Sequence, residues 1–140
     1  LKINVFYDDI KYRIRNVKKV KELVIKVIRN EGKIPGDLNF ILTGDLNIRK
    51  INREFLKHDN FTDVIAFDYG IREIVSGEIY ISKDTVKQNS INYKVSFKEE
   101  LLRVIIHGTL HLCGYRDKTV KEKEFMHSLE DSWICKYNEW

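Results

Sequence analysis

KINVFY, at residues 2–7, alternates apolar and polar positions as a half-buried strand does, and LNFILT (38–43), DVIAFDY (63–69) and GEIYIS (77–82) read as three further strands. Between and after them the apolar residues recur every three or four positions, which is the helical period. Val20, Leu23, Val24, Val27 and Ile28 lay one stripe along a helix that Asn16 caps and that ends near Gly32, where Pro35 and Gly36 mark a turn. Asp45 is placed to cap a short helix that buries Leu46, Ile48, Ile51 and Phe55, and GIREIV (70–75) reads as a turn region. Ser82 or Asp84 opens a helix running to about Tyr93. Ser96 and Glu99 form a capping box ahead of a strongly apolar helix through Leu101, Leu102, Val104, Ile105, Ile106 and Leu110. This is the expected central helix, and Gly114 stops it where a left-handed residue is wanted. Thr119 with Glu122 opens a last helix carrying Met126, Leu129, Trp133 and Tyr137. Without regular strand–helix–strand alternation, the pattern predicts an α+β fold: a small mixed four-stranded sheet covered by helices, one domain over residues 1–140.

Composition adds a compartment and a charge asymmetry. With 43% hydrophobic residues in 140, a core can form without disulfides, and Cys113 and Cys135 are too few for a disulfide framework. No apolar run approaches a membrane span or follows a basic leader-type segment, so a reducing, cytoplasmic setting is expected. Residues 11–33 hold nine Lys or Arg against Glu22 and Glu31, a surplus of seven, whereas the chain as a whole is only +4. The imbalance fits either a polyanionic partner on one side of the molecule or a solvated helix face.

The chemistry concentrates in HGTLHLCGYRD. His107 and His111 are four apart on the central helix, so their rings leave one face and can converge on one ion. Gly114 lets the chain reverse, and Asp117 arrives at a spacing that closes a set of three protein ligands with a fourth position left to water. That is the plan of a catalytic, zincin-like metal site. One group of zinc proteases shares the spacing but carries Glu directly after the first His; Gly108 stands there in this chain, which argues against a peptidase. Cys113 reads as a small buried residue, and His58 and His127 as surface or interface residues. If Asp117 were not the third ligand, Cys113 or Glu122 would be the next candidates.

HGTLHLCGYRD resembles the hallmark HGxLHLxGYxH of the YbeY family at every fixed position but the last. INREFLKHDNFTDVIAFDY (51–69) is similar to that family's LN…YR…D…PTDVLSF block and SGEIYIS (76–82) to its GDI strand, so the resemblance runs over about residues 40–130. It implies a metal-dependent endoribonuclease acting on single-stranded RNA, in 16S rRNA 3′-end maturation and ribosome quality control. One Zn2+, or another divalent transition metal, is the implied cofactor. Single-stranded rRNA, the small ribosomal subunit and ribosome-associated proteins are the implied partners, with neither a membrane nor DNA expected. Two positions depart from the family. Asp117 replaces the usual third His, which keeps a competent ligand but lowers the charge of the site. Leu56 stands where many members have an arginine proposed to act in catalysis, and Arg53, one turn earlier, is expected to replace it near the ion. Lys18, Lys19 and Lys21 are the expected RNA-backbone contacts, and Asp63 or Glu78 the candidate contributing bases. The alternative from another class is an assembly or RNA-binding factor whose metal only ties the last loop to the central helix; a zinc peptidase is the more distant one.

Overall fold

The computed structural model describes residues 2–56 and 62–140; His58 and Asp59, in the polar stretch before the third strand, lie outside the described residues. In chain order the elements are β1 (Ile3–Tyr7), α1 (Val17–Asn30), β2 (Ile34–Thr43), α2 (Asp45–Phe55), β3 (Val64–Asp68), β4 (Ile74–Ser82), α3 (Lys83–Tyr93), α4 (Phe97–Leu112) and α5 (Val120–Glu139). The sheet runs β1-β2-β4-β3, with β1, β2 and β4 parallel and β3 antiparallel at the edge. This is the mixed four-stranded α+β arrangement expected, reached by one parallel crossover through α1.

The period of two decides which residues face which layer. Leu38, Phe40 and Leu42 of β2, with Ile79 and Ile81 of β4, turn to one side, where they join the buried faces of α1, α4 and α5 in the main core. Ile65 of β3 turns to the other side and meets Ile48 and Ile51 of α2, with Phe67 and Tyr80 packed against them. α4 is the central helix: ten of its sixteen residues are buried. It lies close on β4, because a Cβ at Gly108 would come 2.9 Å from the Cγ2 of Ile79, and Leu112 covers Gly77. Residue numbers rise along α4 as they fall along β4, so the C-terminal turn of α4 ends beside edge strand β3 and its neighbour.

Several local expectations change. Pro35 and Gly36 lie within β2, as a register irregularity between Pro35 and Leu38 instead of a turn; Pro35 sits at the strand start, where its missing N–H is tolerated. The reversal comes earlier, at Gly32, whose φ is +72°. GIREIV is only partly turn: Ile71 bridges Ile74, and β4 begins there. Gly44, not Asp45, precedes α2; Asp45 is its first residue, accepts the hydroxyls of Ser82 and Thr85, and donates its N–H to Asp84 at 3.0 Å. Ser82 caps α3, and Ser96 accepts the N–H of Glu99 at the start of α4. The full reciprocal box forms at Thr119 and Glu122.

Candidate metal centre

His107 and His111 leave the last two turns of α4 on one face, with their Nε2 atoms 2.9 Å apart. Gly114, at φ +107°, ends the helix in a Schellman motif: its N–H donates to His111 O and that of Tyr115 to Leu110 O. Tyr115 is held further by its hydroxyl, which donates to Glu31 at 2.7 Å. From this fixed point the chain brings Asp117 Oδ2 to 3.2 Å from His107 Nε2 and 3.4 Å from His111 Nε2. These three donors form the described residues' one cluster of metal-ligating type. Zn–N and Zn–O bonds near 2.0–2.1 Å in a tetrahedron place ligand atoms about 3.3–3.4 Å apart, so the donor set fits a small divalent ion with minor adjustment.

The outer nitrogen of each imidazole is occupied. His107 Nδ1 bonds Glu130 Oε2 at 2.6 Å and His111 Nδ1 bonds the carbonyl of Tyr115 at 2.9 Å. Because carboxylate and carbonyl accept, each Nδ1 carries the proton and each Nε2 offers its lone pair to the common point. Glu130 is itself buried and takes Arg103 Nη1 at 3.3 Å on its other oxygen, while Arg103 Nη2 reaches Asp131 at 2.6 Å. Burial pulls the His107 pKa down, but Glu130, Asp117 and Asp63 together hold it above the ordinary value. An arriving ion therefore competes with a proton there.

A cavity of about 560 Å³ opens over the triad, lined among others by Asn52 of α2, Leu56 at its C-terminal cap, Asp63, and Ile65 and Ala66 of β3. Asp63 lies just ahead of β3, and burial pushes its carboxyl above the usual range against the lowering influence of His107. Glu78 is not among the lining residues and accepts the Tyr69 hydroxyl at 3.0 Å. Of the two candidate bases, Asp63 is the one at the cavity.

The other expected site residues fall elsewhere. Arg53 is exposed and does not line the cavity; Asn52, buried with Ile48 and Ile51, holds the inward face of α2, and position 53 is about 100° round the helix from position 52. Lys18 is exposed, Lys19 packs over the Tyr137 ring at 4.2 Å and donates to Trp140 O at 3.3 Å, and Lys21 is half-buried. These lysines lie at the far end of α1, roughly 15–20 Å along the helix from Glu31, which meets the loop of the triad. Glu122 is committed as a cap, accepting the N–H groups of Lys118 and Thr119. Cys113 is buried, and burial pushes its thiol up to about 12. Two residues escaped the sequence reading. Glu130 shares the buried face of α5 with Met126, Trp133 and Tyr137, a spacing that flags an acid on an apolar stripe. Asn52 is buried in α2 at the cavity wall, with no comparable signal.

The comparisons agree with this geometry. A solution structure of TM1509 from Thermotoga maritima superposes with a TM-score of 0.67 at 29% identity, covering 99% of this chain and 91% of that one. A protein named endoribonuclease YbeY from Flavobacterium psychrophilum is 43% identical across 90% of both chains. Another of that name, from Flavobacterium johnsoniae, is 40% identical across 97% of both. Residues 2–138 match the family described as endoribonuclease YbeY, and with a chain-long match of this kind the protein belongs to that family.

Proposed function

We propose that this endoribonuclease-family chain hydrolyses phosphodiester bonds of single-stranded RNA at the cavity over His107, His111 and Asp117, with one divalent ion, zinc by its donor set of two imidazoles and a carboxylate. The observation that carries the reading is the convergence of three ligand atoms within 3.4 Å, each imidazole backed by its own acceptor. When bound, the ion supplies a water acidic enough to react near neutral pH and a positive charge against the phosphate. The chain's own parts are distinct. Glu130 and the Tyr115 carbonyl hold the imidazole tautomers, Asp63 is placed to take a proton at the cavity wall, and β3 borders the path of the substrate. Arg53 is proposed to meet the incoming RNA from the exposed side of α2.

The structural-metal alternative is weakened because the loop has anchors of its own, the Schellman motif and the Tyr115–Glu31 bond. The triad side chains are also open to the cavity, 23%, 28% and 37% exposed for His107, His111 and Asp117. A peptidase would place its base at position 108, where Ile79 leaves no room for a side chain.

For cellular role we propose ribosomal RNA as substrate, at the 3′ end of the small-subunit RNA and in ribosome quality control, with the small subunit and its associated proteins as partners in the cytoplasm. Among the described residues no helix is long and apolar enough to cross a membrane. Cleavage of unpaired RNA should be abolished by chelation and restored by Zn2+ or another divalent transition ion, with duplex RNA spared. Metal-independent cleavage, or a chelator that only lowers the melting temperature, would sink the proposal.

The lysine cluster has its own expected result. Because Lys19 serves the Tyr137–Trp140 packing, the clean test reverses Lys18 and Lys21 to Glu and leaves Lys19 alone. If both track an RNA backbone, the slope of log affinity against log salt should flatten by at least about 1.4, two single-strand phosphate contacts. An unchanged slope assigns the cluster to a solvated face.

A further inference from the structure

A second cavity, of about 530 Å³, lies on the other side of His107. α4 contributes Glu100, Arg103 and Val104, α3 contributes Asn89 and Tyr93, and α5 contributes His127 and Glu130. Asp63 and His107 line both cavities, so the two adjoin at the metal centre. Glu100 is unusual: it is 3% exposed, and its Oε1 has no hydrogen-bond partner among the described residues, with the Arg103 Nε 3.9 Å away. Arg103 is meanwhile engaged by Glu130 and Asp131. A buried polar atom without a partner is costly, and natural proteins keep few of them.

The chemistry of the walls selects the ligand class. Glu100, Glu130 and Asp63 make the cavity unfavourable for a phosphate, and they do not converge as a cation site, since the ligating cluster among the described residues is the triad alone. A planar group with N–H donors fits an unpartnered buried carboxylate oxygen flanked by aromatic rings. The exposed ring of Tyr93 and the His127 imidazole stand at this cavity on helices that both pack against α4, and such rings receive unstacked bases. Glu100 and His107 are seven residues apart on α4, about 10 Å along the axis, the span from a phosphate at the ion to the edge of a neighbouring base.

We propose that this cavity is a nucleobase subsite next to the scissile phosphate, and that Glu100 reads the Watson–Crick edge of the base it holds, preferring guanine and rejecting uracil. This rests on the endoribonuclease reading above. Guanine presents a ring N–H and an amino group side by side, which a carboxylate accepts together; uracil presents one N–H flanked by two carbonyls that face the acid. Burial, offset in part by Arg103, pushes the Glu100 pKa up to about 7, so the ionised form lacks the donors that guanine would supply.

The test measures binding of single-stranded RNA octamers, all-uridine or with one central guanosine, to the zinc-loaded protein by fluorescence anisotropy, and maps cleavage of both. The guanosine octamer should bind about tenfold tighter, the worth of one paired base contact. Glu100→Gln should reduce that ratio to within about twofold, by weaker guanosine binding and tighter all-uridine binding, and Tyr93→Ala should weaken both octamers while keeping the ratio. Equal binding of the two octamers by the parent protein, or a ratio untouched in Glu100→Gln, overturns the subsite. If Glu100→Gln does not fold, a ratio of one in the parent, or a Tyr93→Ala variant that binds both octamers as the parent does, still overturns it. Guanosine preference without any cleavage would sink the nuclease reading and keep the subsite; cleavage without preference would do the reverse.

Discussion

Asp117→Ala should leave a folded protein that no longer retains its metal and cleaves RNA more than about a hundredfold more slowly than the parent. The carboxylate is one of three donors, and its Oδ2 lies within 3.4 Å of both imidazole nitrogens. Taking it away leaves two histidines on one helix face, too few to hold a catalytic ion firmly. Stability should change little, because Asp117 is partly exposed and the loop is set by Gly114 and Tyr115. Asp117→His is the informative partner. It restores the third histidine usual in the family, so metal content and some activity should return. With a neutral third ligand the site gains one unit of positive charge, which should make the bound water more acidic and shift the activity profile to lower pH. Metal content after dialysis, read beside cleavage, separates the outcomes: full metal occupancy in Asp117→Ala would mean that the ion takes its third ligand elsewhere.

How far the site could be read from the chain depends on how local its determinants are. His107, His111, Gly114 and Asp117 fall within eleven consecutive residues, and helix geometry plus one left-handed residue is enough to bring them together. The core stripes were legible for the same reason: Val20, Leu23, Val24, Val27 and Ile28 all prove buried on α1. Strand limits were less so. Pro35 and Gly36 carry a turn signature, but β4 alongside supplies the pairing that keeps them in a bulged strand, and only the partner strand decides that. Asp45 shows the same limit, since its cap-like chemistry is spent on Ser82 and Thr85, about forty residues away in sequence. Arg53 and the lysines depended on long-range placement. A charge on a helix is visible in sequence, whereas the face it occupies relative to a cavity, or an aromatic ring such as Tyr137 that claims Lys19, is a property of packing.

Glu130 is the residue whose loss should be felt in both stability and metal affinity. It is 4% exposed, and its two oxygens are divided between His107 Nδ1 at 2.6 Å and Arg103 Nη1 at 3.3 Å. In Glu130→Ala the Arg103 guanidinium, mostly buried, loses one of its carboxylates and His107 loses the acceptor that fixes its tautomer. Breaking a buried pair from one side costs about 3 kcal/mol, which for a chain of this size lowers Tm by roughly 10 °C. Glu130→Gln separates the two roles. The amide keeps the volume but has a single acceptor oxygen: turned to His107, it presents its NH2 to Arg103, which keeps Asp131 as its partner, and the negative charge that makes the imidazole a stronger donor to the ion is gone. Metal affinity should then fall about 10–100-fold, with a smaller drop in Tm than in Glu130→Ala because Arg103 keeps Asp131. Titration of the metal-free variant with Zn2+, alongside thermal unfolding without metal, reads the two effects independently. A Glu130→Gln protein that binds zinc as tightly as the parent would show that the 2.6 Å contact does not tune the site and that Glu130 serves only to pair with Arg103.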